Sequence, residues 1–220
     1  MTEIPIHHEI VDSFIVFEGL DGAGTTTQAK RLVEFLNRTK VPAEFTCEPT
    51  SFLTGITIRS LLNGPEHVEP DTMAYLFAAD RNEHLNRPGT GIRALLGERK
   101  TVVCDRYLFS SLAYQGTTTG DTLVGFLNER FPLPRHLVFL DVSPEVAETR
   151  RSARGAGDIY ENLAFQQEVF HAYKTVLDHF TGSGMEIHRI NGNSDEDTVF
   201  GALLAALSLN NPELPERECR

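Results

Sequence analysis

Cysteine is scarce in this chain. Cys47, Cys104 and Cys219 stand far apart among 220 residues, and so odd and scattered a set excludes a disulfide framework and a cysteine-rich metal site. Cys104, inside the apolar run "TVVCD", reads as a small core residue. Long hydrophobic runs are missing as well, none approaching the roughly 20 apolar residues of a membrane-spanning helix. Basic residues are outnumbered, 20 Lys and Arg against 31 Asp and Glu, for a formal net charge of -11. So acidic a chain disfavours nucleic acid and anionic membrane as partners, because both demand a basic face that displaces counterions. Small anionic ligands stay open, since a few arginines can make a positive pocket within an acidic protein. The opening "MTEIPIHHEIVDS" has no basic stretch followed by an apolar block, so no secretory leader is expected and the reducing cytoplasm is the expected compartment. The adjacent His7 and His8 are read as a solvated pair.

What is present is an ordinary globular balance, 40% hydrophobic and 23% charged, in a length that suits one domain. We expect an extension over 1–13, a single domain over 14–209 and a loosely held tail over 210–220. Five β-like runs punctuate that domain: "FIVFE" (Phe14 to Glu18), "AEFTC" (Ala43 to Cys47), "TVVCD" (Thr101 to Asp105), "HLVFLDV" (His136 to Val142) and "MEIHRI" (Met185 to Ile190). Helical patterns lie between them. From Thr26 to Thr39, for instance, Ala29, Leu32, Val33 and Leu36 recur at spacings of 3 and 4 and mark one apolar face. Strand and helix in alternation predict an α/β fold with a parallel sheet flanked by helices. The cluster "GTTTGD" (Gly116 to Asp121) reads as a loop.

The stretch "FEGLDGAGTTTQAKRL" sets a glycine-rich turn between the first strand and the first helix. Gly19, Gly24 and Thr26 satisfy G-x-x-x-x-G-x-[ST], the spacing of a phosphate-binding loop, in which backbone N–H groups turn inward around phosphate oxygens and the helix N-terminus adds positive charge. Thr26 would then offer its hydroxyl to magnesium. Thr25 stands where such loops carry lysine. Lys30, five residues on, points about 140° around the helix and does not replace it. In isolation the same residues also fit a glycine-rich turn with a threonine N-cap.

Four further stretches resemble, in order, the thymidylate kinase family of nucleoside monophosphate kinases, and with the loop the likeness spans Phe14 to about Ile190. The resemblance implies a five-stranded parallel sheet flanked by helices, ATP and Mg2+, thymidine monophosphate (dTMP) as acceptor, and a homodimer. Gly19, Gly22, Ala23, Gly24, Thr25, Thr26 and Thr27 would then hold the ATP phosphates, with Asp21 near the acceptor sugar and phosphate. "EPT" resembles the loop bordering the acceptor phosphate, which brings in Glu48; Cys47 stands where the family often has arginine. "YLFAADRNEH" resembles the helix that holds the pyrimidine, so that Phe77 would stack on the base and Arg81 donate to its carbonyl. "CDRYLFSSLAYQG" is the most specific match. Through it Arg106 would bridge donor and acceptor phosphates, Asp105 would support magnesium with Thr26, and Ser111, Tyr114 and Gln115 would line the nucleoside. "ETRRSARGAGDIYENLAFQQEVFHAY" resembles the lid, placed at about 148–160, and the helix after it. Arg150, Arg151 and Arg154 would there supply the charge that Thr25 does not, with Arg150 and Arg154 as the catalytic pair, and Tyr160 and Glu161 near the acceptor. A nucleotide-binding protein that has lost transfer, and a kinase for another monophosphate, are the alternatives that Thr25 leaves open.

Overall fold

The computed structural model describes residues 9–65, 68–153 and 162–209. In chain order the elements are β1 (Ile10–Gly19), α1 (Thr25–Arg38), β2 (Ala43–Cys47), α2 (Leu53–Asn63), α3 (Pro70–Asn86), α4 (Ile92–Gly97), β3 (Thr101–Asp105), α5 (Leu108–Thr119), α6 (Asp121–Asn128), β4 (Leu133–Asp141), α7 (Pro144–Ser152), α8 (Leu163–His179), β5 (Glu186–Asn191) and α9 (Glu196–Ala206). The strands form one parallel sheet in the order β2-β3-β1-β4-β5. No helix among the described residues is long and apolar enough to cross a membrane.

The centre of the sheet follows from its sequence. Phe14, Ile15, Val16 and Phe17 are consecutive and all buried, the continuous apolar pattern of a strand covered by helices on both faces. On α1, buried Thr25, Gln28, Ala29, Leu32, Phe35 and Leu36 keep the helical period and turn the charged residues outward. Cys104 is fully buried in the core, as expected.

Departures from the sequence reading are largest at three places. β1 begins at Ile10, so residues 10–13 belong to the sheet. Polar Asp12 and Ser13 conceal this, because Ser13 takes φ 58° and the register with β4 shifts between Val11 and Ile15. The same pairing draws β4 back to Leu133, opposite Ile10. The third correction is "GTTTGD": Gly116 to Thr119 complete α5 and Asp121 opens α6. The hydroxyl of Thr117 donates to the carbonyl of Ala113 four residues back at 2.8 Å, and the break comes at Gly120, whose φ of 100° is costly for any residue with a side chain.

Away from the main core, Ile58, Leu62 and Met73 form a small cluster joining α2 to α3, with Phe77 against it. Leu62 and Phe77 of this helix pair share a wall with Asp21 and Arg106, the residues that follow the carboxyl ends of β1 and β3. Between the pair and the sheet lies the cleft that matters next.

Candidate active site

β1 ends at Gly19 and α1 begins at Thr25, so the intervening turn lies over a helix N-terminus. Gly22 and Gly24 have φ of 91° and 94°. Gly24 itself occupies the N-cap position and no side chain caps the helix, which removes the threonine-cap alternative and leaves the first-turn N–H groups directed at the cavity outside. That cavity, about 370 Å³, is lined by Asp21, Gly22, Gly24, Thr25 to Thr27, Asp105 and Arg106. Thr25 is buried, with its methyl group toward Gly19, and Lys30 lies over the ring of Phe45 at 5.2 Å. A Cβ on Gly22 would sit 2.4 Å from the carbonyl oxygen of Ala147 in α7. Gly22→Ala is therefore expected to lose about 2–4 kcal/mol of stability in urea denaturation, from left-handed backbone strain and a contact that cannot relax cheaply.

Asp105 and Arg106 stand at the carboxyl end of β3, beside the point where connections leave the sheet in opposite directions, the usual ligand edge of such folds. The hydroxyl of Thr26 donates to Asp105 Oδ2. Asp105 Oδ1 is buried and has no hydrogen-bond partner among the described residues. A hydroxyl and an unsatisfied carboxylate oxygen next to a phosphate cradle fit the oxygen-ligand chemistry of Mg2+. Arg106 adopts φ 70° and its guanidinium pairs with Asp21. The same group donates to Ser110 Oγ at 3.1 Å and Tyr173 OH at 3.2 Å and lies over the ring of Tyr114 at 5.3 Å. Burial is the largest single effect and works against this cation, but Asp21, together with Tyr114, Tyr173 and Asp105 behind it, raises its pKa.

Behind Arg106 is a fully buried carboxylate. Glu18 accepts from the N–H groups of Tyr107 and Ser110 at 2.8 and 3.1 Å, and from the hydroxyls of Ser110 and Tyr173 at 2.5 and 2.8 Å. Burial pushes its pKa up to about 7, despite the opposing field of Arg106 and these hydrogen bonds. Glu18 thus fixes the two hydroxyls that in turn hold Arg106. Sequence reasoning passed over it, although an acidic residue ending an otherwise apolar central strand is a usable signal.

An open cleft of about 450 Å³ adjoins the phosphate cavity, with Asp21 and Arg106 in the wall of both. Its other walls are mostly apolar, with Pro49, Leu62, Phe77 and Tyr114, and Ser110 and Gln115 supply polar groups. Phe77, Tyr114 and Gln115 therefore meet as the sequence suggested. Glu48, Arg81 and Ser111 meet too, but as a buried network behind the cleft. Arg81 donates to Glu48 at 2.7 Å, to Ser111 Oγ at 3.1 Å and to Asn128, while His84 closes the other side of Glu48 at 3.0 Å. Arg81 Nε, buried, has no hydrogen-bond partner among the described residues.

On the opposite side of the loop a third cavity, about 850 Å³, includes Gly24, Thr27, Gln28, Arg150 and, after β5, Gly192, Ser194, Asp195 and Glu196. Arg150 donates to the carbonyls of Gly192 at 2.9 Å and Ser194 at 3.3 Å, so it seals this cavity and does not reach into the cradle. Arg151 pairs with Glu148. The turn after β5 had no place in the sequence reading, though its position at a carboxyl strand end marks it as ligand-facing. Arg154, Tyr160 and Glu161 lie outside the described residues.

Comparison with known proteins agrees with this geometry. The family model described as "Thymidylate kinase" matches residues 17–200. The chain is 34% identical over 204 residues to the "Thymidylate kinase" of Leptospira interrogans, covering 90% of this chain and 94% of that one. It is also 34% identical over 209 residues to a "Probable thymidylate kinase" of Methanococcus maripaludis, 93% and 99% of the two chains. A "Probable thymidylate kinase" of Methanococcus vannielii is 41% identical over 170 residues, 76% and 79% of the two.

Proposed function

The chain belongs to the thymidylate kinase family, and on that premise we propose that it transfers the γ-phosphoryl group of ATP to dTMP, giving dTDP, with Arg106 as the residue around which the two nucleotides meet. The observation that carries this reading is the shared wall: an apolar, aromatic cleft and a phosphate cradle in contact through Asp21 and Arg106.

In this reading the donor lies across the loop with its base toward the turn after β5, and its phosphates take the N–H groups of residues 22–27. Thr26 and Asp105 would hold Mg2+, which when bound neutralises charge on the donor phosphates. The acceptor base enters beneath Phe77, with Tyr114 against the sugar and Gln115 beside it. Arg81, Glu48 and Ser111 form the polar floor, and Arg81 Nε is the donor left for the base. Asp21 sits where acceptor sugar and phosphate arrive. Arg106 presents a planar, permanently charged group to both phosphates, which suits bidentate contact with oxyanions better than a lysine ammonium would. No general base is required, because the nucleophile is already a phosphate oxygen. Positioning and charge neutralisation supply most of the acceleration in such transfers. Arg150 stands on the donor side, and on leaving its carbonyl partners would, with Arg154, supply the lid charge that compensates Thr25; Tyr160 and Glu161 complete the acceptor side.

Two broader points go with this reading. Exposed apolar Phe126 on α6 and Tyr75 on α3 support a homodimer, and the free thiols of Cys47 and Cys104 support a reducing, cytoplasmic setting.

The direct test is ADP release with Mg2+ and ATP against the monophosphates of thymidine, deoxyuridine, uridine, cytidine and guanosine. Turnover on the order of 1–100 per second with dTMP is expected. ATP binding with silence across the panel would overturn transfer, and a different preferred acceptor would overturn the substrate.

A further inference from the structure

The amino ends of β4 and β5, opposite to the nucleotide clefts, carry a cluster that phosphoryl transfer does not use. In the parallel register His136 lies beside Glu186, and Val138 beside His188, so the side-chain period of 2 puts His136, Glu186 and His188 on one face of the sheet. His136 Nδ1 is 3.2 Å from His188 Nε2 and 3.6 Å from Glu186 Oε2. One ligand atom from each residue falls within 4.8 Å of the others.

We infer that these three side chains form a binding site for a zinc-class divalent ion, with two imidazoles and one carboxylate as ligands and a fourth position open to water. The separations carry the argument. Two nitrogens bound at about 2.0–2.1 Å to a tetrahedral ion stand about 3.3 Å apart, which is what the two rings show. A single N–H···N hydrogen bond explains less, because His136 Nδ1 faces a second ring nitrogen and a carboxylate together and one proton serves only one of them. A cation among the three atoms serves all.

The surroundings agree. Burial lowers the pKa of His136, helped by Arg135 and opposed by Glu186, and burial lowers that of His188, helped by His136 and opposed by Glu186. Both directions favour the neutral imidazole, the form that offers a lone pair to a metal ion. Imidazole nitrogen selects zinc, nickel, cobalt or copper over magnesium, which prefers oxygen. The site thus differs in kind from the pair Thr26 and Asp105. Its consequence is local: an ion there ties the edge strand β5 to β4.

The test uses the untagged full chain, freed of metal by a chelator and titrated with Zn2+ in excess Mg2+ so that the oxygen site by the phosphate loop is occupied. His7 and His8 are changed to alanine in a parallel variant, because a histidine pair elsewhere in the chain offers competing donors. One Zn2+ per chain is expected in both proteins. His188→Ala should weaken it by at least about tenfold, Glu186→Gln should weaken it less, and turnover with dTMP should be the same in all. Cobalt in the unsubstituted chain should give a four-coordinate visible spectrum, a readout that needs no variant to fold. Equal zinc affinity after His188→Ala, loss of the site with His7 and His8, or no zinc bound at all would overturn the assignment.

Discussion

Arg106→Ala is expected to lower turnover on the order of a thousandfold or more under saturating ATP and dTMP, the range associated with removing an arginine that stabilises transition-state charge in phosphoryl transfer. The reason is positional. Arg106 is the cation that lines both the phosphate cavity and the aromatic cleft, so a lysine confined to the loop would not share its duty. Arg106→Lys should recover little, because an ammonium cannot offer two parallel N–H groups to two phosphates from one site. The loss should fall mainly on kcat, since charge migrating during transfer is felt most in the transition state. Thermal unfolding of both variants serves as the control, as Arg106 also pairs with Asp21. A loss below tenfold would mean that the charge between the phosphates is supplied from elsewhere, and Arg154 would be the next residue to change.

Glu18→Ala should be the most damaging substitution outside the clefts. It leaves two N–H groups and two hydroxyls without their acceptor in a dry interior and opens a cavity, a loss on the order of 3–5 kcal/mol. That is a large share of the 5–15 kcal/mol typical of a folded domain. Turnover should fall with it at temperatures where the fold survives, because Ser110 and Tyr173 are the groups that hold Arg106. Glu18→Gln keeps the shape and separates the two effects.

The pH dependence has a definite sign. The Glu18 pKa is raised from 4.5 to about 7, so between those values the folded chain binds more proton than the unfolded one. The contribution of this group to stability therefore falls as pH rises from 4.5 to 7 and is flat above that. The full fall is about 3 kcal/mol. Glu18→Gln should flatten the dependence of the unfolding midpoint on pH across this window. A slope unchanged by the substitution would show that Glu18 does not titrate there.

How much of this could be read from the chain depended on whether a residue's role is local. The phosphate loop was legible because its chemistry sits in eight consecutive residues between one strand and one helix. Phe77 and Tyr114 were placed through resemblance and then found in one cleft. Arg81 was placed through resemblance as well, but its buried pairing with Glu48 and Asn128, partners 33 and 47 residues away, could not be read from the helix. For Arg150 the resemblance and helical spacing offered a direction, whereas its carbonyl partners lie beyond position 190 and could not be read from the helix. The start of β1 was hidden by Asp12 and Ser13, since an irregular register has no periodic signature. "GTTTGD" misled because threonine hydroxyls can close on the helix backbone, which composition alone does not reveal.

The ion pair of Asp21 with Arg106 has one more consequence, which concerns discrimination among anions. The guanidinium is paired with a carboxylate from the glycine-rich loop itself. An incoming phosphate must therefore exchange with Asp21 and cannot simply fall into an empty field. Inorganic phosphate or sulfate brings only its charge to that exchange and gains little from it. In the proposed reading a nucleotide would bring its base to the cleft under Phe77 and its charge to Arg106 in the same event, so the carboxylate would act as a threshold that favours tethered phosphates over free ones.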